Sequence, residues 1–334
     1  MKVLGIETSC DETAASVVDD ELHVHSSVIE SSLDEHRAFG GVVPELAGRA
    51  HVMMIASVVE RALVEAGLDP RNPDIDAVAV TSGPGLIGSL LVGLSAAKGY
   101  ALAWGKPFVG VHHLEGHLFA PLLEMPDLPW PMLTLLVSGG HSMLVLQHGP
   151  GSHEILGETI DDAAGEAYDK VARWLGLGYP GGPEIDKLAQ SGDAKALQLP
   201  KSMTGDGYDL SFSGLKTAVV RATEKQGGLA VEDVAASFQG AVAEQLLRKV
   251  RQALEKNEVK ALSLAGGVAA NSALRRGITE LGDEFGIPAL LPSMKMCTDN
   301  AAMIAAAGVH RFQHQGASPM NLSANPNWQL ADLS

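Results

Sequence analysis

The chain opens on a short apolar run, Val3-Leu-Gly-Ile6, closed by Glu7, then a polar stretch Thr8-Ser-Cys-Asp-Glu-Thr13, then a second run Ala14-Ala-Ser-Val-Val18. Apolar runs of this length bounded by turn residues predict two strands joined by a tight turn. The same plan returns about 130 residues later as Met132-Leu-Thr-Leu-Leu-Val137, Ser138-Gly-Gly-His-Ser142 and Met143-Leu-Val-Leu-Gln147. A repeat that distant predicts two related domains, because solenoid repeats recur at far shorter periods.

Helical periodicity fills the intervals. Apolar residues at helical spacing run over 50–67 and stop at Gly67, and a small-residue helix is predicted over 89–104, after the turn Ser82-Gly-Pro-Gly85. Asp76-Ala-Val-Ala-Val80 and Pro107-Phe-Val-Gly-Val111 read as buried strands, and the proline-rich stretch 124–131 as a loop. A further strand, glycine turn and helix are predicted at Ala261-Leu-Ser-Leu-Ala265, Gly266-Gly267 and 268–276, a last helix at 299–315, and an irregular tail from Ala317. Strands alternating with helices mean α/β layers.

Composition narrows the class. At 334 residues the chain is too long for one ordinary core and fits two domains. Two cysteines, Cys10 and Cys297, build no disulfide framework and suggest a reducing compartment. The first nine residues lack a secretory pattern, and no long uncharged apolar stretch reads as a membrane span. The expected location is the cytoplasm, with no membrane association. The net charge of −16 argues against a self-sufficient nucleic-acid binder. Between Ala241 and Arg276 seven basic residues face three acidic ones, which reads first as a solvated helix face.

Three sets of residues carry candidate chemistry. The turns at Thr8-Ser9-Cys10, Ser138-Gly139-Gly140 and Gly266-Gly267 each follow a predicted strand and offer backbone amides to an anion; none fits the Walker pattern. In His112-His113-Leu-Glu-Gly-His117, His113 and His117 lie four apart and share a face if helical, a metal-ligand spacing whose competing reading is two structural histidines. A zinc-protease helix needs Glu directly after the first His, and Leu114 holds that place. Asp299 is a candidate third ligand or, equally, a helix N-cap. Asp169, Asp186 and Asn271 accompany the cluster Gly178-Tyr-Pro-Gly-Gly182; such acids suit ribose hydroxyls, and all three also suit caps and turns.

These motifs, with Gly41-Val-Val-Pro-Glu-Leu-Ala47, Ser211-Phe-Ser-Gly-Leu-Lys-Thr217, Leu264-Ala-Gly-Gly-Val-Ala-Ala-Asn271 and Cys297-Thr-Asp-Asn300, run in order along nearly the whole chain. Together they resemble the bacterial TsaD family of tRNA N(6)-adenosine threonylcarbamoyltransferases, once read as glycoproteases. The resemblance implies an α/β, actin-like ATPase fold (actin, hexokinase, heat-shock chaperone, ribonuclease H-like), duplicated into two lobes with a nucleotide cleft between. One lobe is expected over 1–110 plus about 296–334 and the other over 111–295. It implies that the threonylcarbamoyl group passes from threonylcarbamoyl-adenylate to the exocyclic amine of adenosine 37 in tRNAs reading codons that begin with A, releasing AMP. It implies one divalent metal, iron or zinc, on His113, His117 and Asp299. Leu136, Val137, Ser138, Gly139, Gly140, Asp169, Gly182, Asp186 and Asn271 would hold the adenylate. Implied partners are a TsaB-like paralogue, a TsaE-like ATPase, a TsaC-type enzyme supplying the adenylate, and tRNA. Asp11 and Glu12, in the first turn, are the expected catalytic acids, one orienting substrate or accepting the amine proton. The rival readings are an actin-like ATPase or sugar kinase, a metalloprotease and a non-catalytic scaffold.

Overall fold

The computed structural model describes residues 1–125, 127–226 and 228–333. Pro126, inside the expected loop 124–131, and Ser334, at the end of the expected first lobe, lie outside the described residues. The chain divides into two compact units, the first Met1–Asp127 with Thr298–Ser334 and the second Leu128–Cys297.

In the first unit, β1 (Lys2–Glu7), β2 (Glu12–Asp19) and β3 (Val24–Ser31) precede α1 (Leu33–Arg37) and α2 (Pro44–Glu65). There follow β4 (Ala77–Gly83), α3 (Ile87–Trp104), β5 (Phe108–His112) and α4 (His113–Phe119). Among the described residues the sheet order is β3-β2-β1-β4-β5. The first three strands are antiparallel, and β4 and β5 continue in parallel. β1, β4 and β5 are buried throughout apart from Lys2, as parallel strands covered on both faces must be.

The second unit holds β6 (Met132–Val137), β7 (Ser142–Gly149), β8 (Ser152–Glu158), α5 (Ala164–Trp174), α6 (Gly181–Ala189) and α7 (Ser213–Gln226). It continues with α8 (Val231–Lys256), β9 (Ala261–Ala265), α9 (Ser272–Phe285), β10 (Ala289–Leu290) and α10 (Met294–Cys297). Its sheet runs β8-β7-β6-β9-β10, again an antiparallel meander continued by parallel strands. The repeat read from the two hairpins is thus a repeat of the entire sheet. After this unit the chain returns to the first as α11 (Ala301–Gln315).

The units divide at Asp127/Leu128, whereas the lobe boundary expected from sequence fell at 110/111. The reason is pairing: β5 completes the first sheet beside β4, and α4 packs against α11. Helix α3 is long and apolar enough to cross a membrane by length and composition alone. It carries Lys98 and buries Leu90, Gly93, Leu94, Ala97 and Ala101 while packing on β4 and α2, so its apolar character serves a core. The tail from Ala317 is irregular as expected until a short turn at Leu330–Leu333.

Candidate metal centre and ligand-binding residues

The metal candidates are assembled by two helix starts in the first unit. β5 passes into α4 without a loop, and His112 is the N-cap: its Nδ1 accepts the backbone N–H of Leu114 at 3.2 Å, while Nε2 donates to the Trp328 carbonyl at 3.1 Å. His113 and His117 then lie on one helical face, and all seven residues of α4 are buried. Gly116 lets α4 approach α11, for a Cβ there would meet Ile304 Cδ1 at 2.7 Å.

The alternative roles of Asp299 are resolved at the start of α11. The cap is the next residue, Asn300, whose Oδ1 accepts from the Met303 N–H at 3.0 Å. Asp299 instead places Oδ1 3.1 Å from His117 Nε2 and 3.5 Å from His113 Nε2. Among the described residues this is the one His/Cys/Asp/Glu trio whose ligand atoms converge, all within 4.8 Å of one another. Tetrahedral bonds of about 2.0–2.1 Å put neighbouring ligand atoms roughly 3.3 Å apart, and the two separations from Oδ1 bracket that value. Two imidazoles and one carboxylate suit zinc or iron, leaving a position for substrate. The trio fits the metal that the resemblance implies.

Charge supports the fit. Burial disfavours the His113 cation, but Asp299 and Glu7 together outweigh it and raise the group to about 9. Glu12 is pushed up to about 10, first by burial and then by the charges of Asp299 and Asp11. The same burial and neighbouring acids raise the Cys10 thiol well above its ordinary value. A divalent cation relieves this crowding of carboxylates. The turn carrying Asp11 and Glu12 is fixed from behind. His51 Nε2 reaches the Cys10 carbonyl at 3.0 Å, and the Ser32 N–H and hydroxyl both donate to the Asp11 carbonyl. Glu12 and Asp299 feel each other's charge, so the structure brings the expected acids and the trio into one electrostatic environment.

Glu115, the acid a protease reading would need, faces away from that environment. It is 4% exposed and pairs with Arg311 at 3.1 Å, and the Arg311 guanidinium lies over the Trp328 ring.

The second unit gathers the expected adenylate residues. Leu136 and Val137 end β6 fully buried. The turn closes by Ser138 N–H to His141 O at 2.7 Å, leaving Gly139 and Gly140 exposed with nothing within 4 Å of an added Cβ. The glycines that tolerate no side chain are others. A Cβ at Gly165 would lie 2.6 Å from Ser138 O, and one at Gly266 (φ +85°) 2.4 Å from Val137 O. Asp169 accepts the Gly181 N–H at 2.7 Å, tying α5 to the first turn of α6, where Gly182 is unobstructed. Asp186 accepts the Ser272 hydroxyl at 2.7 Å and the Asn271 amide at 3.4 Å. Asn271 caps α9 through Oδ1 and donates to Gln239 at 2.8 Å. Asp169 thus ties α5 to the first turn of α6, and Asp186 separately ties α6 to the start of α9 through Asn271 and Ser272.

Sequence reasoning missed Glu7, Gly165 and Arg311, and it gave His112, though inside the histidine motif, no role of its own. Of the three missed, Glu7 alone left a signal, a carboxylate ending an otherwise apolar strand. Five of the seven basic residues between Ala241 and Arg276 bond internally. Arg248, Lys249 and Lys256 bind backbone carbonyls of the 202–207 loop, Arg251 pairs with Glu284, and Arg275 binds the Ala269 and Pro292 carbonyls.

Comparison with known proteins places these residues in a lineage. A model of the TsaD family, described as tRNA N6-adenosine threonylcarbamoyltransferase, matches residues 23–306. The chain belongs to the TsaD family. A tRNA N6-adenosine threonylcarbamoyltransferase of Anaeromyxobacter dehalogenans (strain 2CP-C) is 51% identical over 98% of this chain and 99% of its own length. The Bacillus subtilis (strain 168) protein of that name is 50% identical over 99% and 96%. Solved structures agree on the fold alone. HypF from T. kodakarensis aligns with TM-score 0.63 at 15% identity, over 94% of this chain and 48% of its own. Component A of the Acidaminococcus fermentans (R)-2-hydroxyglutaryl-CoA dehydratase gives 0.56 at 15%, over 93% and 98%. The duplicated actin-like α/β fold expected for a TsaD protein is the fold observed.

Proposed function

We propose that this TsaD-family transferase moves the threonylcarbamoyl group of threonylcarbamoyl-adenylate onto the exocyclic amine of adenosine 37, in tRNAs reading codons that begin with A, and releases AMP. The observation that carries this reading is the convergence of His113 Nε2, His117 Nε2 and Asp299 Oδ1 in a chain of this family. The donor is a mixed anhydride, so its carbonyl carbon is already activated and no Ser or Cys nucleophile is needed.

When bound to the trio, an iron or zinc ion supplies a Lewis acid at that carbonyl. His113 and His117, fixed on one face of a buried helix, and Asp299, ahead of a capped one, hold its ligand atoms in place. In the second unit the amides of Ser138 to Gly140 and the first turns of α5 and α6 favour the phosphate and its departing charge. Asp169, Gly182, Asp186 and Asn271 line the proposed nucleoside contacts. The amine attacks the carbonyl carbon, the bond to the phosphate oxygen breaks, and one of Asp11 and Glu12 orients the substrate or accepts the amine proton. Alanine at either acid, with full transfer from purified adenylate, removes that acid from the scheme.

The proposal extends to a cytoplasmic setting and to partners: a TsaB-like paralogue, a TsaE-like ATPase and a TsaC-type enzyme upstream. Reconstitution tests the whole. Purified chain, adenylate, tRNA and partners are combined and the nucleoside is assayed by mass spectrometry. Wild type is expected to form the modified nucleoside and Asp299→Ala not; equal yields overturn the reading.

A further inference from the structure

Glu7 ends β1 with a side chain closed to solvent. Its carboxylate accepts the Ser9 N–H on Oε1 and the Thr81 hydroxyl, at 2.5 Å, on Oε2. The remaining approach to Oε2 is taken by His113 Nδ1 at 3.0 Å. The opposite ring nitrogen of His113, Nε2, faces Asp299. The ion pairs of the described residues give Glu7 His113 and no lysine or arginine. An isolated buried carboxylate is costly, and one that accepts three hydrogen bonds is a built feature.

An ionised carboxylate only accepts, so the nitrogen facing it must carry the proton. In neutral imidazole the other nitrogen then holds the lone pair. We propose that Glu7 is a positioning residue of the metal centre: it holds Nδ1–H of His113, orients the ring and presents the Nε2 lone pair to the ion. Thr81 and the Ser9 amide fix the carboxylate in turn, and the Ser9 hydroxyl, 3.2 Å from Nδ1, steadies the same ring edge. Carboxylates behind ligating histidines raise ligand basicity, and losing one weakens metal affinity 10- to 100-fold.

This inference rests on the metal reading above, and its test separates the two. Zinc affinity of the full chain is measured by competition with a chromophoric chelator for wild type, Glu7→Gln and His117→Ala. The Nδ1–H proton of His113 is followed by NMR in the zinc-loaded protein. Glu7→Gln is expected to bind zinc about 10- to 100-fold more weakly and to move the Nδ1–H resonance upfield, as the charged acceptor is lost. A purely structural role lowers the melting temperature and leaves that resonance in place, which overturns the proposal. Zinc binding abolished by His117→Ala but unchanged in Glu7→Gln overturns it alone; a wild type that holds no stoichiometric zinc overturns the metal reading with it. If Glu7→Gln does not fold, Thr81→Val, which keeps the carboxylate but frees its orientation, is expected to shift affinity and resonance in the same direction by less. No shift there is the overturning result.

Discussion

His117 and Asp299 meet at 3.1 Å across the start of two helices, and each is irreplaceable by the chemistry of the other. His117→Ala or Asp299→Ala is expected to leave no stoichiometric iron or zinc after dialysis, by elemental analysis. Transfer should fall by at least about a hundredfold, the scale of one lost electrostatic stabiliser. Glu115 makes the complementary case. Glu115→Gln is expected to retain metal and transfer, because that side chain points to Arg311 and away from the trio. Removing the partner is different: Arg311→Met strands a buried carboxylate and is expected to cost about 3–5 kcal/mol in urea denaturation. At this scale the sequence disclosed residue types and spacing, such as the four-residue interval of the histidines. It was silent on direction. Whether Asp299 or Asn300 caps α11 is decided by backbone angles that a single sequence does not display.

Elements meet here through small residues. α11 lies so close to the sheet that a Cβ on Gly5 of β1 would lie 2.4 Å from the Ala301 carbonyl oxygen, and one on Gly308 the same distance from the Cβ of Ala79 on β4. Gly5→Ala is therefore expected to destabilise the first unit by about 1–3 kcal/mol or more, read from thermal unfolding. It should loosen the metal as well, since α11 follows directly on Asp299. In the second unit, Asp161 accepts the hydroxyls of Ser211 and Ser213 and the N–H groups of Phe212 and Ser213, tying the chain beyond β8 to the start of α7. Burial opposes the charge of Asp161, but the two hydroxyls and two amides prevail and lower its pKa. Because the folded value is depressed, the stabilisation is present above the unfolded value, about 3.9, and is lost as pH falls through the folded one. Asp161→Ala should cost about 1 kcal/mol at neutral pH, with the difference from wild type vanishing in acid denaturation. β1, β2, β6 and β7 were legible as apolar runs. β3 and β8 were not, because edge strands alternate buried and exposed positions and Val24–Ser31 is half polar.

For the whole molecule, charge and connectivity decide most. The net charge of −16, with the basic side chains of α8 spent on loop carbonyls and Glu284, predicts weak association of the isolated chain with tRNA. Fluorescence anisotropy at physiological salt should give a dissociation constant of about 10⁻⁶ M or weaker. The duplication was visible in sequence because both hairpins carry the same strand–turn–strand pattern. The division at residue 127 was not, since it depends on which sheet accepts β5. The ligands of the trio are separated along the chain by the entire second unit, residues 128–297. On the ribosome, His113 and His117 emerge long before Asp299, with the whole second unit translated between them. A metal that needs all three ligands can thus be held only late in biogenesis, and a nascent polypeptide arrested before codon 299 offers it just the two imidazoles.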